Sequence, residues 1–406
     1  MQKRERLNER ILIAVDALYN GKGSFMGVFL MAFMIGVSLR ESPIGYICYC
    51  LSAYAFYGIL CTLLVHILAS HPVGAWRVSM MFSIVRILAV ILVDPNWVFF
   101  PLLLGVLAAV ESQLYHRPRE YLQVREVTAS RRAKFTSARH ICVETAKIIM
   151  PFILGIAISS TSYTRTAIII LAISVLQLIL SFFMRPRTKI EAKTHSIREV
   201  MQFAVNHAGI RRALWTLFAC GITLTGCSYE IVSQINIYRA DSSNVSLGGF
   251  QSVASIIAIV ILLVYRYLRT KKKSGYDAFI YALVPAAVLL PISAIIFPGN
   301  FIIAIVLFIY FRAVMSTLFS NTVFSIFYEN ILKEAIHDDG YRMEIDVLGE
   351  LWLCIGRVVG LAPLLALLCL GRDDLMMPLV AIESIAVPIL IISIRKYETS
   401  RARGKL

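Results

Sequence analysis

The chain has 406 residues, 58% of them hydrophobic and 16% charged, with a mean hydropathy of +0.73 and a formal net charge of +15. A soluble domain of this size needs a far more polar shell, so the composition excludes water as the main solvent and points to lipid. The positive surplus lies in separate clusters beside apolar stretches, which argues against a nucleic-acid partner and for anionic headgroups.

Twelve apolar stretches can be cut near 11–37, 43–69, 74–93, 96–115, 138–160, 164–184, 211–236, 246–268, 276–297, 299–325, 345–370 and 375–394. Each approaches the ~20 residues that a helix needs to cross hydrocarbon. Lys3, Arg4, Arg6 and Arg10 precede the first stretch and no small-residue cleavage site follows it, so it is expected to stay as a helix. With the amino terminus inside, most Lys and Arg fall in the tails and even-numbered connections, and Arg40, Arg165, Arg239 and Arg372 mark the odd ones. Basic residues collect on the cytoplasmic side. The expectation is an all-α, multi-pass protein of the cytoplasmic (inner) membrane, with both termini in the cytoplasm.

Along the chain, the first stretch carries Asp16, Tyr19 and Lys22 at steps of three, with Asn20, Gly21 and Gly23 permitting a local bend. Asp16 and Lys22 diverge by about 120° around a helix, so they should meet other helices rather than each other. The second offers Cys50, Tyr54, Tyr57 and Cys61 on one face. The fourth brings Glu111 near its inner end, and the fifth pairs Glu144 with Lys147. The sixth connection, 185–210, begins with Arg185, Arg187, Lys189, Glu191 and Lys193 and continues as an amphipathic stretch, Ile197 to Ala208, suited to the cytoplasmic interface. It divides the chain into six-helix bundles at 1–184 and 211–406. Polar stripes follow: Thr223, Cys227, Glu230 and Gln234 in the seventh stretch, and Arg312, Ser316 and Ser320 in the tenth. Glu350 and Arg357, seven apart, share a face of the eleventh.

Trp76, Trp97, Trp215 and Trp352 fall in first turns, where an indole is expected at the headgroup layer. The eight cysteines show no metal or disulfide spacing, and neither a phosphate-binding glycine loop nor a His-Glu-x-x-His motif occurs. No cofactor, metal or catalytic residue is expected.

Twelve helices in two sixes, a basic central linker and short outside loops resemble the major facilitator superfamily. Leu104, Gly105, Tyr115, Tyr121, Arg131, Arg132, Phe135, Lys147, Pro151 and Gly155 are similar to a segment of many bacterial members, as are Glu350, Gly356, Arg357 and Gly360. The signature loop between the second and third helices is reduced to Ser70, His71, Pro72, Val73, Gly74, Ala75, Trp76 and Arg77. The resemblance implies that helices 1, 4, 7 and 10 line a central cavity, making Lys22, Glu111, Glu230 and Arg312 water-accessible, and that the protein is a monomer. It implies that Arg86 and Glu383 lie on peripheral helices, and they receive no role.

The expected function is secondary active transport of a small solute with an anionic group, by alternating access and coupled to protons, with no enzymatic activity. Lys22, Arg312, Tyr19, Tyr54, Tyr57 and Gln234 are candidates for substrate binding, and Asp16 and Glu230 for proton coupling. Glu111, Glu144, Lys147, Glu350 and Arg357 are candidates for gating, the rival reading for each charge being a structural ion pair. Alternatives are a lipid or lipid-linked sugar flippase, an integral-membrane transferase, which the short outside loops disfavour, and a transporter-shaped sensor or scaffold.

Overall fold

The computed structural model describes residues 2–37, 42–184, 197–223, 228–271, 273–319 and 339–387. Among them every regular element is a helix. Seven stretches are long and apolar enough to cross a bilayer: Arg6–Val37, Ile44–Leu64, Pro72–Leu92, Lys134–Ser160, Tyr163–Phe182, Asn244–Val264 and Ile345–Cys369. Large apolar side chains such as Leu63, Leu92, Ile168, Phe182, Leu263 and Leu289 point outward, while Asp16, Lys22, Glu111, Gln113 and Gln177 are enclosed. A greasy exterior around a partly polar interior is what lipid selects and water does not. The chain is a multi-pass membrane protein. The linker's charged start, Cys227, Ser320 and the tail from 388 lie outside the described residues.

The chain forms two compact units: Met1–His195 with Ser243–Ser252, and Ser196–Ser242 with Val253–Leu406. In unit 1, α1 (Gln2–Ser24) passes through a π-helical turn (Phe25–Phe29) into α2 (Leu30–Val37), followed by α3 (Ile44–Ser70), α4 (Pro72–Leu92), α5 (Phe100–Glu126), α6 (Ala129–Ser160) and α7 (Tyr163–Phe182). Local chemistry sets several of these ends. Pro72 opens α4, where its missing N–H costs nothing, and the Ser162 hydroxyl accepts from the Arg165 amide to cap α7. Arg77 donates to the Ser181 and Met184 carbonyls at 3.2 and 3.3 Å, so this lone cation of the second connection closes the C-terminal end of α7.

Helix α5 packs on α3 and α4, while α1 packs on α6 and α7. The α3–α5 approach depends on Gly105, because a side chain there would sit 2.7 Å from the Tyr49 carbonyl. Two sequence expectations change in this unit. The α5 helix runs on to Glu126, placing Glu111 well inside it. Trp76 is fully enclosed against Tyr115, with ring centroids 6.3 Å apart, so it is a core residue and not an interfacial one. Trp97 and Trp215 are about half exposed.

Unit 2 contains α8 (Ile197–Asn206), α9 (Ala208–Thr223), α10 (Ser228–Ala240), most of α11 (Asn244–Lys271), α12 (Lys273–Ile296), α13 (Phe301–Ile309) leading into a π-helical segment (Tyr310–Phe319), α14 (Asp339–Cys369), a short turn (Asp373–Leu375) and α15 (Met376–Ser384). The amphipathic α8 falls where the periodicity placed it, with Met201 and Val205 exposed. Helices α9 and α14 lie backbone to backbone: a side chain at Gly356 would be 3.1 Å from the Gly221 α-carbon. Trp215 and Trp352 continue that seam, with centroids 4.8 Å apart.

Candidate functional site

Unit 1 encloses a charged cluster built from four helices. Lys22, at the end of α1, places its Nζ 3.3 Å from Glu111 Oε1 on α5, and the other Glu111 oxygen is 2.9 Å from an Arg86 guanidinium nitrogen on α4. Lys22 also donates to the hydroxyl of Ser83 on α4 and to that of Ser174 on α7. Lys22 and Glu111 are 2% and 1% exposed, and Arg86 is 9% exposed. Two cations therefore share one carboxylate away from water. A buried charge without a partner costs on the order of several kcal/mol, which the shared carboxylate and the two serine hydroxyls offset in part. The water access that the resemblance implied for Lys22 and Glu111 is not seen here, because the ion cluster and the two serines fill their surroundings.

A second cluster sits two turns earlier on α1. Asp16 accepts from the Tyr115 hydroxyl at 2.9 Å and from Arg119 at 3.1 Å, both on α5, and from Arg139 on α6. Tyr19 links the clusters. Its ring lies on Tyr115, with centroids 3.6 Å apart, and the Lys22 ammonium is 5.1 Å from its centroid. Nearer the N-terminus, Asn8 donates to Glu126 at 2.7 Å and Arg131 pairs with Glu9 at 2.7 Å, fastening α1 to the α5–α6 corner.

The helix bends its ladder just after Lys22. Tyr163 is sandwiched between Phe25 and Phe33, and its hydroxyl donates to the Phe25 carbonyl at 3.5 Å. The Tyr49 hydroxyl donates to the Met26 carbonyl at the same distance. Both phenols supply hydrogens to carbonyls of the π turn, a feature that recurs at functional sites.

In unit 2, Arg312 stands in the π-helical segment and pairs with Glu230 at 2.9 Å, with Gln234 reaching the same oxygen at 3.5 Å. This pair is partly exposed, at 25% and 21%. The structure thus joins a predicted substrate cation to a predicted proton site. Glu144 and Lys147 pair along α6 at 2.9 Å and are partly exposed. Glu350 and Arg357 both lie on α14, and Tyr54 and Tyr57 are half-buried on α3.

Sequence reasoning did not single out Arg119 and Arg139, and it left Arg86 without a role on a helix taken as peripheral, whereas Arg86 is buried against Glu111. A signal for Arg86 existed: Ser79, Ser83 and Arg86 recur at steps of four and three and form a buried polar stripe on α4. On α7, Ser174, Gln177 and Ser181 form a matching stripe, from which Gln177 donates to the Val15 carbonyl at 3.0 Å. Among the described residues no cluster of His, Cys, Asp and Glu could hold a metal ion.

No family model and no curated protein matches the sequence. Solved structures do match the fold. A mutant of the nucleoside transporter NupG superposes with a TM-score of 0.68 at 11% identity, covering 97% of this chain and 99% of that one. A POT family transporter crystallised with 5-aminolevulinic acid gives 0.67 at 11% identity, over 96% of each chain. A bacterial homologue of the iron transporter ferroportin, in an inward-facing state, gives 0.67 at 12% identity, over 97% of this chain and 99% of that one. At such identities the likeness establishes the fold. The chain shares the fold of these transporters, and it is the fold, not the function, that is thereby shared.

Proposed function

We propose that this chain is a secondary active transporter that moves a small solute bearing an anionic group across the cytoplasmic membrane by alternating access, driven by protons. In this reading twelve helices cross the membrane as six-helix bundles at 1–184 and 211–406, with the linker 185–210 and both termini in the cytoplasm. The observation that carries the anionic preference is the sharing of Glu111 by Lys22 and Arg86, which leaves one enclosed positive charge for a ligand to meet. Arg312, partly exposed beside Glu230 and Gln234, supplies a second cation. Tyr19, Tyr54 and Tyr57 offer rings and hydroxyls to the rest of the solute. Asp16 and Glu230 couple transport to protons by exchanging their arginine partners for a proton as the helices move. Glu144 with Lys147, and Glu350 with Arg357, act as gates.

The test is flux in liposomes containing the purified protein, against a panel of labelled carboxylates, phosphates and neutral nucleosides. Accumulation of an anion under an inward proton gradient is expected, with strong loss in Lys22→Ala and Arg312→Ala. Full anion flux with both cations removed would sink the anionic reading. A rate indifferent to a protonophore would sink the coupling.

A further inference from the structure

Glu383 on α15, half-buried with one enclosed oxygen, differs in its partners from Asp16, Glu111 and Glu230. Asp16, Glu111 and Glu230 each hold an arginine. Among the described residues no cation pairs with Glu383; its Oε1 lies 3.4 Å from Ser228 Oγ at the start of α10, and its Oε2 is buried with no hydrogen-bond partner.

Several charges on the elements packed against α15 are engaged with other groups. Arg239 of α10 pairs with Asp373 of the short turn at 2.9 Å, and Arg372 pairs with Asp374 at 3.1 Å. Glu230 of α10 holds Arg312, and Tyr229 and Tyr238 are the other ionisable groups of that helix. Helix α12 carries Lys273, Tyr276, Asp277 and Tyr281 in its first half and nothing ionisable from Ala282 to Ile296. In α9, Arg211 and Arg212 stand in the first turn, with Cys220 further along. In α14 the ionisable residues nearest Gly360 are Cys354 and Arg357.

Ser228 decides where the hydrogen must be. A serine hydroxyl has one proton to give. Its Oγ lies 2.8 Å from the Gly360 carbonyl, which can only accept, so that proton is committed there. The hydroxyl then faces Glu383 with lone pairs alone. A bare carboxylate opposite them would bring two acceptors together in a buried place, whereas a carboxylic acid would donate to Ser228 and satisfy both groups.

We infer that Glu383 is a proton-binding site of unit 2, filled in this arrangement and emptied when the contact with Ser228 opens to water. Release leaves a carboxylate and hands the proton to solvent, so no further reactant is needed. The inference deepens the proton-coupled reading above, and names a carboxyl that Asp16 and Glu230, both held by arginine, do not replace.

Difference infrared spectroscopy of the full-length protein in liposomes, titrated over about pH 5–9, tests it without a substrate. The wild type should show a carboxylic-acid C=O stretch that disappears as pH rises; Glu383→Gln should lose that band while Asp16→Asn and Glu230→Gln keep it. Ser228→Ala should shift the band by removing the hydrogen-bond acceptor, which keeps the idea testable if Glu383→Gln is produced poorly. A band untouched by both Glu383→Gln and Ser228→Ala overturns the site. A Glu383 band in a protein whose flux ignores the proton gradient supports the site and defeats the coupling; proton-driven flux with no Glu383 band does the reverse.

Discussion

Tyr19 lies flat on Tyr115, with ring centroids 3.6 Å apart and planes 6° from parallel. The first ring borders the Lys22 ammonium, and the second sends its hydroxyl to Asp16. The two charged clusters of unit 1 therefore meet across one stacked pair, so a shift of α1 against α5 disturbs both together.

Tyr115→Phe keeps the stack and deletes one of the bonds to Asp16. A hydrogen bond to a charged group contributes about 1–3 kcal/mol, and Asp16 retains two guanidiniums, so a loss near the lower end is expected. Tyr19→Leu removes stacking and the cation–π contact, at a cost of about 1–2 kcal/mol. Thermal melts in detergent measure both; a Tyr115→Phe midpoint equal to wild type would show that the hydroxyl contributes nothing.

Glu111→Gln leaves Lys22 and Arg86 enclosed without a counter-charge. Breaking a buried ion pair on one side destabilises by roughly 3–5 kcal/mol, so the variant should melt far earlier or fail to accumulate. Adding Arg86→Met, which removes one stranded cation and keeps apolar volume, should recover part of the loss. A double variant no better than Glu111→Gln would argue that the two side chains do not share a charge balance.

The Glu230–Arg312 pair is partly solvated, so its direct worth is smaller, about 1 kcal/mol or less. Each single alanine variant should lower the melting midpoint modestly, and the exchanged pair Glu230→Arg with Arg312→Glu should restore it. A cycle with zero coupling energy would mean that the 2.9 Å contact is incidental to stability.

Gly356→Val places a branched side chain against the backbone of α9, where the Phe218 carbonyl and the Gly221 α-carbon face it. Overpacking of this kind costs about 1–3 kcal/mol or more, and here backbone must give way. Aggregation in detergent is expected on size-exclusion chromatography. Gly249→Ala is the control, since nothing lies within 4 Å of the added carbon, and it should elute as wild type.

The helical plan was legible because lipid enforces simple rules: apolar length, basic clusters and polar stripes locate helices without reference to partners. Asp16, Lys22, Glu111, Glu230 and Arg312 stood out for the same reason, being charges in greasy sequence. Their partners did not. Arg119 lies past the point where hydropathy ends the fourth stretch, yet α5 continues through it and brings Arg119 to Asp16 on another helix. Arg139 reads as a headgroup cation until α6 turns it toward α1. Trp76 satisfies the interfacial pattern by position, but packing against Tyr115 takes it inside. Pairing is a property of three-dimensional neighbours, and one-dimensional polarity supplies only the candidates.

The widened turn at Phe25–Phe29 has a consequence for Lys22. Such a turn inserts one residue into the α-helical count, and successive residues are offset by about 100°. Tightening this turn into a plain α-helix with every residue kept would force the surplus residue to be taken up as rotation, swinging Lys22 by up to about 100° relative to Leu30 and the residues beyond, whereas deleting Gly27 would close the turn and leave that aim nearly unchanged. The aim of the ammonium thus depends on the turn staying wide, and the Tyr49 and Tyr163 hydroxyls donate to the carbonyls that keep it so.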